Sequence, residues 1–309
     1  MIQKQQPAFW LILIAFSCTY ILWGTTYFAV LVGLKTLPPF LMAALRFLLA
    51  GIVLLLVILL KREKLWRKGM HKNILVGTVI LTGGQGLLFW SEQYIPSGYA
   101  AILVSTLPLW YVLLDNKNRS FYLKSKTIIA GLLLGFFGIL LLFERYIITA
   151  SGITTKQIFG ILAALGGSIC WVTGTLYYKN HVDQKFIFLN LGWQLMGGFF
   201  SSVLISFLSG ELSKFSFAAV SVDSWLATVY LAVAGSLVAF ISFSWLLSVL
   251  PAAIVGTYAY VNPVIAVLLG WMFANESITV LQISGMIVIL LSAILVNSAK
   301  YKWTIKLKN

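Results

Sequence analysis

Gly131-Leu132-Leu133-Leu134-Gly135-Phe136-Phe137-Gly138-Ile139-Leu140-Leu141-Leu142 carries no charge and no side-chain hydrogen-bonding group. A transmembrane β-strand alternates apolar and polar residues over about ten positions, and this run does not alternate. It belongs to a longer apolar window, 127–143, which reads as helix. A chain of 309 residues holds several such windows: 60% of it is hydrophobic, 10% is charged and its mean hydropathy is +0.96. Soluble domains hold about 45–50% apolar and about 25% charged residues, so this surface has too little polar side chain to face water all round. The fold class read from the sequence is therefore an all-α integral membrane protein.

A helix crossing the hydrocarbon needs about 20 mostly apolar residues. Windows of that kind fall at 9–32, 40–60, 73–90, 98–114 and 127–143, then at 158–178, 186–208, 225–247, 252–273 and 280–297. Ten transmembrane helices are expected. Short-loop Lys and Arg mark the cytoplasmic side. With the N-terminus inside, that side collects Lys4, the loop from Lys61 to Lys72, the loop from Lys117 to Lys126, Lys179, Lys185 and the four lysines from Lys300 to Lys308. The other side holds only Lys35, Arg145, Lys156 and Lys214. Both termini are predicted to be cytoplasmic. The same asymmetry accounts for the net charge of +14 without a polyanionic partner, and nucleic-acid binding is excluded. Met1-Ile2-Gln3-Lys4 leads into the first apolar run with no small-residue cleavage pattern, so that run is expected to be retained as a span.

An internal repeat explains the count. Moving along by 155 residues places Trp90 on Trp245, Pro96 on Pro251, Pro108 on Pro263 and Val112-Leu113-Leu114 on Val267-Leu268-Leu269. Moving by 148 places Trp23 on Trp171, Thr25 on Thr173 and Arg46 on Gln194. The chain reads as a first five-span repeat over 9–148, a second over 157–298 and a basic cytoplasmic tail over 299–309. Five is odd, so the second copy would enter the membrane upside down. Two inverted repeats about an axis in the membrane plane are the architecture of many secondary transporters, with the solute near the midplane between them.

Residues that carry chemistry are few. The acidic residues fall in loops or at span ends: Glu63, Asp115 and Asp183 inside, and Glu92, Glu144, Glu211, Asp223 and Glu276 outside. Intramembrane acid–base work asks for a carboxylate deeper than these. His71 and His181 lie in basic loops and read as solvated. Cys18 and Cys170 have no paired ligand spacing and read as small buried hydrophobes. No catalytic residue, metal or cofactor is implied.

Arg46 is the ionisable residue well inside a span, about 10 Å below the outer surface when counted from Pro39. Such a charge must snorkel, pair or face water. It reads as a brace to Glu92 or Glu276, a reading favoured by its neutral counterpart Gln194, or as an anion contact for a solute. Gly83, Gly84 and Gly86 interrupt the third span around Gln85, and suggest close packing, a kink or a hinge. Pro108 and Pro263 each remove a helix hydrogen bond, which adds two further hinge positions. Tyr258 and Asn262 share a helix face at i, i+4 beside Pro263. Trp23 and Trp171 sit in matched small and hydroxyl runs, Trp23-Gly24-Thr25-Thr26-Tyr27 and Trp171-Val172-Thr173-Gly174-Thr175. Packing or an interfacial anchor is the competing reading for each tryptophan, and interhelical hydrogen bonding is that for Tyr258 and Asn262.

The chain resembles the drug/metabolite transporter superfamily, in particular the ten-span EamA-type permeases. The resemblance is carried by Trp23-Gly24-Thr25-Thr26-Tyr27, Leu45-Arg46-Phe47, Glu92-Gln93-Tyr94-Ile95-Pro96-Ser97-Gly98 and Ala259 to Gly270, followed by Glu276. It implies a multi-pass protein of the cytoplasmic (inner) membrane that exports small metabolites, often amino acids. One departure is visible: Asp115-Asn116-Lys117-Asn118-Arg119 stands where the first repeat of the family ends in apolar-Gly-x-Glu.

The expectation is therefore a secondary transporter working by alternating access, with the first, third, fourth, sixth, eighth and ninth spans around a central cavity. Trp23, Tyr27, Gln85, Trp90, Trp171, Trp245, Tyr258 and Asn262 are expected to touch the substrate. Their aromatic and amide groups suit amphipathic solutes, with cation–π contact to an ammonium. The fifth and tenth spans would pack peripherally or against a second protomer in a homodimer. A channel, a lipid scramblase and an integral-membrane transferase remain as alternatives. If the charge asymmetry sets the topology, a cysteine at position 64 is labelled only from the cytoplasm. Modification of Lys64→Cys in intact cells by an impermeant thiol reagent would contradict it.

Overall fold

The computed structural model describes residues 8–95, 97–144, 154–273 and 278–306. Pro96, Arg145 and Glu276 lie outside the described residues, as do positions 307–309 of the tail. Within them the chain is helical throughout, with no strand. In chain order the main helices are α1 (Phe9–Gly33), α2 (Pro39–Leu60), α3 (Met70–Ser91), α4 (Ser97–Val104 and Leu107–Leu114), α5 (Lys126–Leu142), α6 (Thr155–His181), α7 (Ile187–Leu208), α8 (Val222–Val249), α9 (Ala252–Val255 and Tyr258–Phe273) and α10 (Val280–Lys306).

Among the described residues eight stretches are long and apolar enough to cross a membrane, those of α1, α2, α3, α6, α7, α8, α9 and α10. The apolar stretches of α4 (Ala100–Leu114) and α5 (Lys126–Leu142) are shorter, below the length of about 20 residues that a straight span needs. The lipid-facing exterior is apolar. Leu133 and Phe137 of α5, Phe200, Leu204 and Phe207 of α7, and Ile287 and Ile294 of α10 are all exposed. In water such a surface would aggregate.

Helix ends are satisfied locally. Thr154 and Gln157 form a reciprocal capping box at the start of α6 (3.3 and 2.9 Å), and Thr279 and Gln282 do the same for α10 (3.1 and 2.9 Å). α2 begins with Pro39, and its next free amides, Phe40 N and Leu41 N, donate to the Glu211 carboxylate at 3.3 and 3.0 Å. A negative group there also complements the helix dipole.

Small residues set how closely the helices approach. α3 and α7 cross where a Cβ on Gly77 would overlap the Gln194 carbonyl and one on Gly197 would overlap the Ile74 carbonyl. Buried amides seal that contact: Asn73 Nδ2 donates to Asn190 Oδ1 at 3.0 Å, and Gln194 Nε2 donates to Asn73 Oδ1 at 3.1 Å. α5 and α10 pack against each other, and the Ser292 hydroxyl donates to the Gly131 carbonyl at 2.7 Å. Cys18 and Cys170 are half-buried, more open than the enclosed positions their apolar surroundings suggested.

Both α3 and α8 widen into a π-helical stretch, at Thr78–Gly86 and Leu231–Ala239. The 155-residue offset carries the first onto 233–241, so the irregularity recurs at matched places. α4 and α9 each contain a break, at Ser105-Thr106 and at Gly256-Thr257. Pro108 consequently falls in the first turn of the second segment of α4 instead of interrupting a continuous helix, and there its missing N–H has no helical partner to lose. Pro263 does lie inside its helix and leaves the Ala259 carbonyl without its usual donor. The Ser105 hydroxyl, 2.7 Å from the Ala101 carbonyl, reaches that of Ala259 at 3.1 Å, so its one proton serves both.

The α3–α7 crossing gives a direct test of packing. Gly77→Val has no room beside backbone, and overpacking of this kind costs about 1–3 kcal/mol, or roughly 3–10 °C in melting temperature. Gly166→Ala, whose added carbon meets nothing closer than Leu87 Cδ1 at 3.9 Å, leaves the melting temperature in detergent unchanged.

Candidate functional site

Six helices enclose a cavity of about 90 Å³, several times the space one water needs. α1 contributes Trp23, Thr26, Tyr27 and Val30; α2 contributes Arg46; α3 contributes Gly84, Gln85, Leu88, Phe89 and Glu92; α4 contributes Val104 and Leu107; α6 contributes Ala164, Gly167, Ser168 and Trp171; α9 contributes Tyr258 and Asn262. Six of the eight residues expected to touch substrate meet here: Trp23, Tyr27, Gln85, Trp171, Tyr258 and Asn262. Trp90 and Trp245 are not in the lining. The Trp90 ring packs on Tyr94 with centroids 4.7 Å apart, and Trp245 packs against the apolar core. α8 stands behind the wall, while α2, which was not expected there, enters it through Arg46.

Four aromatic rings make the floor. Trp23 meets Tyr258 edge-on at 4.7 Å between centroids, Trp171 at 5.5 Å and Phe243 of α8 at 5.1 Å. Phe243 meets Trp171 at 5.7 Å and Tyr258 at 5.6 Å. The two tryptophans that match across the repeats thus touch each other at the seam between the halves. The Trp23 indole N–H donates to the Gly235 carbonyl at 3.0 Å in the widened turn of α8. Gly84 lets α3 approach α6 here, since a Cβ would lie 3.2 Å from the Trp171 ring. Gly83 faces Cys170 at 3.2 Å and Gly86 faces the Phe40 ring at 2.8 Å, so the glycine run is a packing surface in this conformation.

The upper wall is polar. Arg46 is only 3% exposed. Its Nε donates to Ser236 Oγ at 3.2 Å and its Nη2 to Gln85 Oε1 at 3.1 Å. Its guanidinium carbon lies 4.9 Å from the Phe47 ring centroid and 5.9 Å from that of Phe89. Among the described residues no carboxylate lies within 4 Å of it, so Glu92 does not brace it, and Glu276 lies outside the described residues. Neutral oxygens hold the side chain in place and leave its charge uncompensated. Its Nη1 makes no hydrogen bond to the described residues, and the side chain lines the cavity.

Asn262 is buried, and with its amide oriented by hydrogen-bond logic Nδ2 donates to the carbonyls of Tyr258 and Tyr20 at 3.0 and 3.1 Å. It therefore ties α9 to α1 while lining the cavity. Glu92 follows the last residue of α3, and sequence reasoning assigned it to the outer end of a span. The final turn of the helix turns it onto the cavity wall, within electrostatic reach of Tyr27. The signal that could have found it is its spacing: Gln85, Leu88, Phe89 and Glu92 follow the i, i+3, i+4, i+7 rhythm of one helix face.

The EamA-like transporter family model matches the chain twice, over residues 8–144 and 158–298. The chain belongs to the EamA-like transporter family. A similar protein is the uncharacterised inner membrane transporter YedA of Escherichia coli (strain K12), 32% identical over 295 residues that cover 94% of this chain and 92% of the relative. The uncharacterised transporter YoaV of Bacillus subtilis (strain 168) is 27% identical, covering 87% and 90%. A crystal structure superposes with a TM-score of 0.74 at 20% identity, covering 93% of this chain and 98% of that one, which shows a shared fold. This member of the EamA-like family is a multi-pass protein of the inner membrane, and its role is transport.

Burial pushes the Glu92 carboxyl up to about 7. Below that pH Glu92 is neutral and the Arg46 charge stands alone; above it, the carboxylate opposes an incoming anion. An anionic probe such as benzoate, followed by tryptophan fluorescence, is expected to bind roughly three- to tenfold more tightly at pH 6 than at pH 8. Glu92→Gln removes that dependence.

Proposed function

We propose that the chain is a secondary transporter that exports small metabolites, amino acids or related amphipathic solutes, across the cytoplasmic membrane by alternating access. In this reading ten helices cross the bilayer, both termini are cytoplasmic, and the repeats at 9–148 and 157–298 are inverted copies whose seam is the pathway. The two family matches and the recurrence of the π-helical stretches and mid-helix breaks support the duplication. A cavity at the junction of the halves, with an aromatic floor beneath it, supports a carrier over an open pore.

The observation that carries the substrate class is the uncompensated guanidinium. A buried Arg46 that lines the cavity with one nitrogen unbonded suits a carboxylate, Glu92 suits an ammonium, and Trp23, Tyr27, Trp171 and Tyr258 suit an apolar side chain or the face of a cation. An α-amino acid offers all three groups within one small molecule. Asn262 sets the spacing of α9 against α1 beside them.

Purified protein in liposomes, assayed with a panel of labelled amino acids, should show saturable uptake with counterflow. Arg46→Gln keeps a polar side chain but removes the charge. It is expected to lower the transport efficiency for carboxylate-bearing solutes roughly tenfold or more, as loss of a charge-assisted bond predicts, with the melting temperature within a few degrees. Asn262→Ala is expected to abolish the flux while membrane insertion persists. Unchanged saturable flux in both variants would remove the proposed site.

A further inference from the structure

At the aromatic floor and one turn beyond it, three polar atoms are buried without a hydrogen-bond partner. They are the Tyr111 hydroxyl, the Thr175 hydroxyl and the Trp171 indole N–H. Tyr111 and Thr175 are 0% exposed and Trp171 is 6% exposed. They are not scattered. The Tyr111 hydroxyl has Thr175 and Trp171 as polar neighbours and closes no hydrogen bond within 3.5 Å to either. Along α4, Tyr111 lies one turn beyond Leu107, and along α6, Thr175 lies one turn beyond Trp171, so both continue cavity-lining faces past the floor. Tyr258 lines the cavity, and its ring packs on those of Trp23 and Trp171 with centroids 4.7 and 6.5 Å apart. The ring of Tyr111 lies against the break in α9, where a Cβ on Gly256 would sit 2.6 Å from it.

Buried polar groups are normally paired, and one left unpaired keeps its full desolvation cost. Three such groups converging on one spot need either a resident water or a second conformation in which they are wetted. We propose that Tyr111, Thr175 and the Trp171 indole N–H form a second polar station on the pathway. It would be exposed to the cytoplasmic side when the aromatic floor parts, and would take the hydrogen-bond-accepting end of the solute together with its water. The station carries no formal charge. It suits a carboxylate or carbonyl oxygen handed on from Arg46, with the indole N–H as donor and the two hydroxyls turning as needed. It rests on the carrier reading above and adds the inner half of the route.

Two measurements decide it. In a background where Cys18 and Cys170 are replaced by alanine, Thr175→Cys is probed with an impermeant methanethiosulfonate reagent, and Tyr27→Cys serves as the cavity control. Labelling of Thr175→Cys in inside-out vesicles but not in intact cells is expected, with Tyr27→Cys labelled in intact cells. The double variant Tyr111→Phe, Thr175→Val should raise the melting temperature by at least about 2 °C, because it removes unpaired groups, while lowering the maximal counterflow rate severalfold. If Thr175→Cys is labelled from neither side while Tyr27→Cys is still labelled, the station is overturned and the cavity stands. A lower melting temperature in the double variant means that a resident structural water held these groups, which also overturns the station. Simultaneous labelling of Thr175→Cys from both faces keeps the station and overturns the carrier reading instead.

Discussion

The edge-to-face contact between Trp23 and Trp171, centroids 5.5 Å apart, is the constraint around which the rest is arranged. Each ring comes from the first helix of its half, and each is surrounded by residues small enough for the helices to meet. With Phe243 and Tyr258 they form an aromatic plug at the floor of the polar cavity, and the unpaired Tyr111 and Thr175 hydroxyls lie one turn further along α4 and α6. Aromatic pairs in this geometry contribute about 0.5–1.5 kcal/mol each beyond area burial.

The cavity above the plug has unusual electrostatics for a membrane protein interior. A guanidinium is held by an amide oxygen and a hydroxyl and is not neutralised. Burying a charge without a counter-ion is costly, and the cost persists in this state because Gln85, Ser236 and the flanking Phe47 and Phe89 rings fix the side chain facing the void. An incoming anion recovers part of that cost. At the opposite end, where α1 begins and α10 ends, Asp115 accepts from Tyr122 and Asn118 at 2.8 Å each, and the Lys179 ammonium donates to the Leu247 carbonyl of α8 and to that of Leu250 just past its end.

Much of this was legible in the sequence, for physical reasons that differ by residue. The apolar windows and the helical class followed from hydropathy, and the matched tryptophans from the repeat. Arg46 was recognisable as a charge in need of an explanation, but its partners were not: charge logic points to Glu92 or Glu276, whereas an arginine has enough donors to be held by neutral oxygens on helices far apart in the chain. Trp90 and Trp245 matched across the repeats as well as Trp23 and Trp171 did. A match fixes equivalence, however, and not which helix face turns inward. Glu92 was placed at a span end correctly, yet the orientation of the last turn of α3, which brings it to the cavity, depends on packing against α6. The missing partners of Tyr111 and Thr175 are a property of three helices together and have no signature in any one of them.

The central claim is that the two halves open alternately on either side of the tryptophan plug. Double electron–electron resonance on two spin-label pairs tests it most directly, one pair at Gln93 and Lys156 on the cavity end and one at Lys117 and His181 on the end with the termini, in nanodiscs with and without solute. The account predicts two distance populations for each pair, with the long distance at one end accompanying the short distance at the other and their ratio moved by solute. A single population at both ends under every condition would contradict it.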